Sequence, residues 1–491
     1  MERLKTLMAA SEAGPYVRTG GLGDVLGALP AALASRGHEV KVVLPRYAEI
    51  DGRRHRFSLV LDDMAVPDAG EIAHASVERA GDSPLGVDYL FVGHSDYFGR
   101  TGLYVDPRKG KDFPDNHLRF AFFSRAVLEL ARSLEWSPDV IHVHDWQTGL
   151  VPAYLREHYA NDPVLKNCRC IMTIHNLGYQ GLFDGDSFSE LDLPEEMFYA
   201  ATGALEFFDK VNFLKAGVVL ADKVTTVSPR YSREIQSSDE FGCGLQGVLA
   251  TRAADLVGIL NGADYSIWSP NTDQKIPSRY GPANLSGKRT CRLALLNRAG
   301  LPVREKSPLV GLVTRLTPQK GIDLLLDSAA ELFRLDIQIV ILGDGDREYH
   351  KELKVLEKKY PDKLRVWFEF NDALAHLIQA GSDAFLMPSR YEPCGLNQMY
   401  ALKYGTVPIV RAVGGLADTV QDHDPNSGEG NGFVFEGYTC EELVGAVRRG
   451  IQLFLHRREW TKLMKIGMRA DFSWAKAAAG YENVYRLLHG A

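Results

Sequence analysis

The residues best equipped for chemistry lie in Ser389–Gly415, where an acidic turn, Glu392-Pro393-Cys394-Gly395, follows the apolar run Ala384–Pro388. The spacing of Leu396, Met399 and Leu402 after it predicts a helix. A carboxylate placed where a strand gives way to a helix start stands beside backbone N–H groups that the helix leaves unpaired. Such a turn holds hydroxyls with Glu392 and an anionic group with the amides, a combination suited to a sugar carrying phosphates. A second site follows another very apolar run: Thr314-Arg315-Leu316-Thr317-Pro318-Gln319-Lys320-Gly321. Arg315 and Lys320 sit at the start of a helix, the end that already carries partial positive charge. Helix stabilisation does not explain them there, so they point to an anionic ligand.

Two further sets lie in the first half. Arg18-Thr19-Gly20-Gly21-Leu22-Gly23-Asp24 joins the first strand to the first helix, where α/β folds receive phosphates. The spacing is neither G-x-G-x-x-G nor a P-loop, so a dinucleotide is poorly supported, whereas paired glycines beside Arg18 suit close approach of an anion. His142, His144 and Asp145 end one strand, and His175-Asn176 ends the next. His142 and His144 share a strand face, which raises zinc, but no third ligand has motif spacing and no metal is expected. Polar groups at the carboxyl ends of parallel strands line the ligand crevice of such folds.

The elements that must position these residues alternate β-rich runs with helical patterns, the signature of parallel α/β layers. Six strands are expected in each half, those in the first near Leu4–Ala9, Val40–Leu44, Val140–His144, Ile171–His175, Lys223–Val227 and Leu256–Leu260. Asn261–Leu285 is polar and turn-rich and reads as a connector between two doubly wound domains, and 51–84 as a hairpin or surface loops. Trp474, Ala478, Tyr481, Val484 and Leu488 share one face of a terminal helix that must dock on its own domain or on the first one.

A chain of 491 residues needs two or more domains, and 45% apolar with 24% charged residues is a soluble globular composition. A net charge of −7 argues against nucleic acid or an anionic membrane as the main partner. Six cysteines form no disulfide framework, no signal peptide precedes the first strand, and no apolar run spans a bilayer, so a cytoplasmic location is expected.

Taken in order, RTGGLGDV, HVHDWQTGL, TIHNLGYQG, GILNGADYSIW, VTRLTPQKGIDLL, SRYEPCGLNQMYALKYGT and GGLADTV resemble the bacterial glycogen synthase and plant starch synthase family of retaining glucosyltransferases. They span residues 18 to 420. The resemblance implies the GT-B fold, two Rossmann-like domains facing a deep cleft. It implies an N-terminal, acceptor-side domain over 1–260, a nucleotide-sugar domain over 261–470, and a terminal helix, 471–491, packing back on the first domain. The implied reaction moves glucose from ADP-glucose to the nonreducing 4-OH of an α-1,4-glucan, with no cofactor. Arg315 and Lys320 would hold and neutralise the diphosphate, and Glu392 would bind glucose hydroxyls. The amides of Cys394, Gly395 and Leu396 would fix the sugar and phosphate. His175 would lie near the anomeric carbon, Asp24 and Asn261 near the glucose and acceptor, and Asp145 on the acceptor side. Gly20 and Gly21 would let the first loop close over the donor.

Two positions depart from related patterns. Arg18 stands where the family usually has Lys, keeping the charge but with a flat guanidinium. Tyr400 stands where many other retaining GT-B enzymes carry a second Glu, a replacement shared by glycogen synthases, which leaves the ribose contact unassigned. Alternatives at this point are a GT-B transferase using UDP-glucose or another acceptor, and a catalytically silent glucan-binding homologue. Glu392 is the only motif-supported candidate for a nucleophile, and the resemblance gives it the hydroxyl-binding role instead.

Overall fold

The computed structural model describes residues 3–199 and 203–490. The chain divides into two compact units: Met1–Val227, Ser232–Ile259 and Trp474–Ala491 form the first, Ser228–Tyr231 and Leu260–Ser473 the second. The first is built on β1 (Lys5–Ala9), β2 (Glu39–Pro45), β3 (Ser58–Asp68), β4 (Glu71–Arg79), β5 (Val87–Gly93), β6 (Val140–His144), β7 (Arg169–Ile174), β8 (Lys223–Thr226) and β9 (Leu256–Gly258). Their order in one sheet is β9-β8-β7-β6-β1-β2-β5-β4-β3. From β9 to β5 every pairing is parallel, with β1 flanked by β2 and β6. The sequences explain this: VIHVH in β6 is buried at every position, as strands covered on both faces require.

The segment 51–84 is a hairpin. β3 and β4 pair antiparallel with each other, and β4 with β5, through a two-residue turn, Ala69-Gly70, in which both residues have positive φ. Its half-exposed faces show alternating burial, which antiparallel edge strands tolerate.

The terminal helix Trp474–His489 packs within the first unit, burying Trp474, Ala478, Tyr481, Val484 and Leu488. Its Tyr485 hydroxyl meets His142 Nδ1 at 2.7 Å, and Glu482 lies 2.5 Å from Arg36, the residue after the helix Gly21–Ser35.

The second unit has an all-parallel sheet of β10 (Leu309–Val313), β11 (Gln338–Leu342), β12 (Leu364–Trp367), β13 (Ala384–Met387), β14 (Val407–Arg411) and β15 (Phe433–Phe435), ordered β12-β11-β10-β13-β14-β15. Leu312, Ile339, Ile341, Leu386, Ile409 and Phe433 lie in its core. In each sheet the chain first builds to one side of the central strand, then to the other. The reversal falls between β1 and β6 in the first unit and between β10 and β13 in the second. The carboxyl ends beside such a reversal splay apart and leave a crevice. No described helix is long and apolar enough to cross a membrane.

Candidate active site

In the second unit the crevice is lined from two strand ends. β10 runs out into Thr314 and exposed Arg315, β13 into Pro388 and Ser389. The turn Pro318–Lys320 ends at Gly321, whose φ is 71°. Any side chain at Gly321 would place its Cβ 2.0 Å from the Pro388 carbonyl oxygen, so only glycine lets this turn lie against the end of β13. The close approach carries Lys320 onto Glu392: Nζ donates to Oε1 at 2.8 Å and to Oε2 at 2.6 Å. Ser389 Oγ adds a third bond to Oε2, at 3.0 Å. Glu392 is 5% exposed, so this is a buried ion pair with additional hydrogen bonding.

The rest of the turn is held from behind. Gly415 N donates to the carbonyls of Glu392 and Pro393. A Cβ on Gly414, at φ 44°, would come within 1.9 Å of the Glu392 carbonyl oxygen. Thus Gly414-Gly415, in the GGLADTV segment, serve as the seat of the acidic turn. Asn261 N–H bonds the Cys394 sulfur, whose thiol is pushed up to about 12 by burial and is therefore no thiolate. Asn261 is buried, and its Oδ1 has no partner among the described residues.

In the first unit, β6 runs out into Asp145, a non-glycine residue at φ 58°. Its Oδ1 accepts from His175 N at 2.7 Å, and the Asn176 N–H bonds the same carboxyl group. Burial pushes this acid up to about 7. Asp145 therefore fixes the His175 turn from 30 residues away, a coupling that strand-by-strand reading does not reveal. His175 Nε2 lies 3.0 Å from His144 Nδ1. Burial lowers both imidazoles, His175 to about 3, so both are neutral at pH 7. His142 bonds Tyr485 and Thr173 through its two nitrogens, which leaves neither for a metal.

The first loop adds Glu12, a residue the motif reading gave no role. It is 4% exposed and accepts from Thr19 N, Thr19 Oγ1 and the Tyr104 hydroxyl. Its signal was present in the sequence: an acid three residues past an apolar strand, as Asp145 lies one residue past its own. The Tyr104 hydroxyl also meets Ser11 Oγ, at 2.6 Å, and Phe98 is fully buried. Arg18 Nη1 reaches Asp24 at 2.7 Å, an exposed pair. The loop glycines divide by cause. Gly23 and Gly27 are packed so that a Cβ would clash, whereas Gly20 and Gly21 have nothing within 4 Å of theirs. Internal packing does not demand glycine at those two positions. A surface cavity of about 620 Å³ beside Arg46 and Phe57 contains none of these residues.

The chain matches two family models, the starch synthase catalytic domain over residues 5–251 and glycosyl transferases group 1 over 296–463. It is 48% identical over 486 residues to the glycogen synthase of Anaeromyxobacter dehalogenans, covering 99% of this chain and all of that one. It is 46% identical to the glycogen synthase of Myxococcus xanthus, covering 99% of each. Among solved structures, the catalytic domain of starch synthase IV from Arabidopsis thaliana, bound to ADP and acarbose, superposes with a TM-score of 0.90 at 32% identity over both full chains. A sucrose-phosphate synthase from Thermosynechococcus elongatus shares the fold, with a TM-score of 0.61 at 18% identity over 99% of this chain and all of that one. With two parallel α/β units, full-length relatives near half identical and a matching catalytic-domain model, the chain belongs to the glycogen and starch synthase family and is a glucosyltransferase of the GT-B fold.

Proposed function

We propose that the chain transfers glucose, with retention, from ADP-glucose to the nonreducing-end 4-OH of an α-1,4-glucan. The observation that carries this reading is the Lys320 ammonium bridging both oxygens of Glu392 at the reversal of the second sheet, with Arg315 five residues before it. A carboxylate that accepts sugar hydroxyls lies next to two cations suited to a diphosphate. The solved relative binds ADP, which favours an adenine nucleotide.

In the transfer, the bond between the anomeric carbon and the diphosphate oxygen breaks, and its electron pair leaves with ADP. Arg315 and Lys320 stabilise the growing negative charge, the largest single contribution available to such a reaction. The acceptor 4-OH attacks from the leaving-group side and gives its proton to the departing diphosphate, so the configuration is retained. Glu392 orients the glucose through its hydroxyls. Neutral His175 donates or accepts a hydrogen bond at the transferred sugar without adding charge. Asp24 and Asn261 contact the glucose and acceptor, and Asp145 keeps the His175 turn in place. Arg18, Gly20 and Gly21 let the first loop approach the donor, and the amides of Cys394, Gly395 and Leu396 hold its sugar and phosphate. We place the activity in the cytoplasm, in keeping with six free cysteines.

Labelled glucose incorporation from ADP-glucose and from UDP-glucose, each with and without glycogen, tests the reading. Glycogen-dependent transfer from ADP-glucose, with the product digested by an α-1,4-specific amylase, is expected. Equal or faster transfer from UDP-glucose would remove the adenine assignment. No transfer from either donor would remove the enzymatic one.

A further inference from the structure

Gln398 is fully buried one residue into the helix Asn397–Lys403, where a methionine or leucine would cost less. Its Oε1 has no partner among the described residues, an expense that stability alone does not explain. Its Nε2 is fully engaged. It donates to the carbonyl oxygens of Cys394 at 3.0 Å and Gly395 at 2.9 Å, and reaches Thr419 Oγ1 at 3.2 Å. Exchanging the amide's O and N would set an oxygen against two carbonyls, so the network fixes the orientation.

In a trans peptide the C=O and the following N–H point in opposite directions. Holding the Cys394 carbonyl inward therefore turns the Gly395 N–H outward, and holding the Gly395 carbonyl does the same for Leu396 N–H. Neither N–H has a partner among the described residues. Gly395 is left-handed at φ 70°, and Leu396 follows in the right-handed region at φ −118° and ψ −30°. Successive residues of opposite hand gather their N–H groups into an anion-binding nest. Donation into the two carbonyls also polarises both peptides and strengthens their N–H groups as donors. Gly395 is needed twice over, for its φ and because a Cβ there would lie 2.5 Å from Gln398 Oε1.

We infer that Gln398 is a positioning residue for the donor: it aims the N–H groups of Gly395 and Leu396 at the phosphate and sugar of the nucleotide sugar. The inference rests on the proposed donor-binding role of the Glu392 turn. Gln398→Met keeps the volume and removes the donor, and Gln398→Glu presents oxygens to both carbonyls. In both, the Kd for ADP measured by calorimetry is expected to rise at least 10-fold, with a fall in kcat on ADP-glucose. A residue that merely fills the core would lower the melting temperature of the unliganded protein and leave the ADP Kd unchanged. An ADP Kd within 2-fold of wild type in folded Gln398→Met overturns the inference. Should that variant not fold, Thr419→Val, which removes the third acceptor, is expected to weaken ADP about 3-fold, and unchanged affinity there overturns it equally. Wild type is titrated alongside: if it does not bind ADP, the donor-site reading itself has failed, whatever Gln398 does.

Discussion

Replacing Lys320 separates the two tasks of the ion pair. In Lys320→Met the Glu392 carboxylate, 5% exposed, keeps only the Ser389 hydroxyl as a partner. Breaking a buried pair from one side typically costs about 3–5 kcal/mol. Stability of Lys320→Met is therefore expected to fall by about 3 kcal/mol at pH 7. The double variant Lys320→Met/Glu392→Gln removes both charges and should regain most of the stability at pH 7. Activity should behave differently. Loss of the cation lowers kcat on the order of 10²–10³-fold, and the double variant does not recover it. Urea unfolding at pH 7, with glucose transfer measured on the same preparations, reads both. A single variant as stable as wild type at pH 7 would refute the buried-pair reasoning. Unchanged kcat would refute the role in stabilising ADP as it leaves.

Three other outcomes are expected. Asp145 is raised to about 7 in the folded protein, so its ionisation costs stability as pH climbs from about 4 to 7, and the cost is fully present above 7. Asp145→Asn should thus be more stable than wild type at pH 8, by about 1–4 kcal/mol, and no more stable at pH 4, while keeping most activity because the amide oxygen still accepts from His175 N. Glu482 is held down to about 2 by hydrogen bonds from Arg486 and Arg36 that outweigh its burial, so it supplies stability above about pH 4.5 that is lost as pH falls through 2. Since its arginine partners are partly solvated, Glu482→Gln should cost about 2 kcal/mol at pH 7 and almost nothing at pH 2, measured by denaturant unfolding. Gly21→Ala meets nothing within 4 Å and should leave the melting temperature unchanged while lowering kcat/KM for ADP-glucose at least 10-fold, whereas a stability loss would show that packing requires the glycine.

What the sequence made legible was local. Apolar runs such as VIHVH and LVGLV gave the parallel strands because full burial leaves a continuous apolar string. Arg315 and Lys320 stood out because their charge opposes the helix start they precede. Couplings across long separations were not legible. Asp145 was read as a surface for the acceptor, and its bond to His175 N depends on β6 and β7 lying side by side. Lys320 and Glu392, 72 residues apart, meet because Gly321 admits the Pro388 carbonyl, a contact no spacing encodes. Gln398 reads as an ordinary helix residue, since only the three-dimensional turn shows which carbonyls lie above it. The docking of the terminal helix was open from periodicity alone, because an apolar face specifies burial without naming what buries it.

The ion pair also bears on how retention is achieved. A carboxylate nucleophile needs a lone pair aimed at the anomeric carbon, with the oxygen free to close to bonding distance. Glu392 is poorly placed for this: one ammonium engages both of its oxygens and Ser389 takes a further lone pair on Oε2, so the single remaining lone pair, on Oε1, sits beside the ammonium. Freeing an oxygen would strip Lys320 from it inside a buried site, at a cost of several kcal/mol, just when the proposed mechanism gives the same cation to the diphosphate. A double displacement through Glu392 therefore works against the arrangement that stabilises the leaving group, whereas same-face attack uses it. Incubation with a slow 2-fluoro donor analogue, followed by intact-mass and peptide analysis, should show no glucosyl adduct on Glu392. Glu392→Gln, which keeps the hydrogen-bonding shape, should retain a measurable rate that glycogen increases. An adduct of one hexosyl mass on the Glu392 peptide would sink this argument and make the ion pair a resting state that the donor breaks.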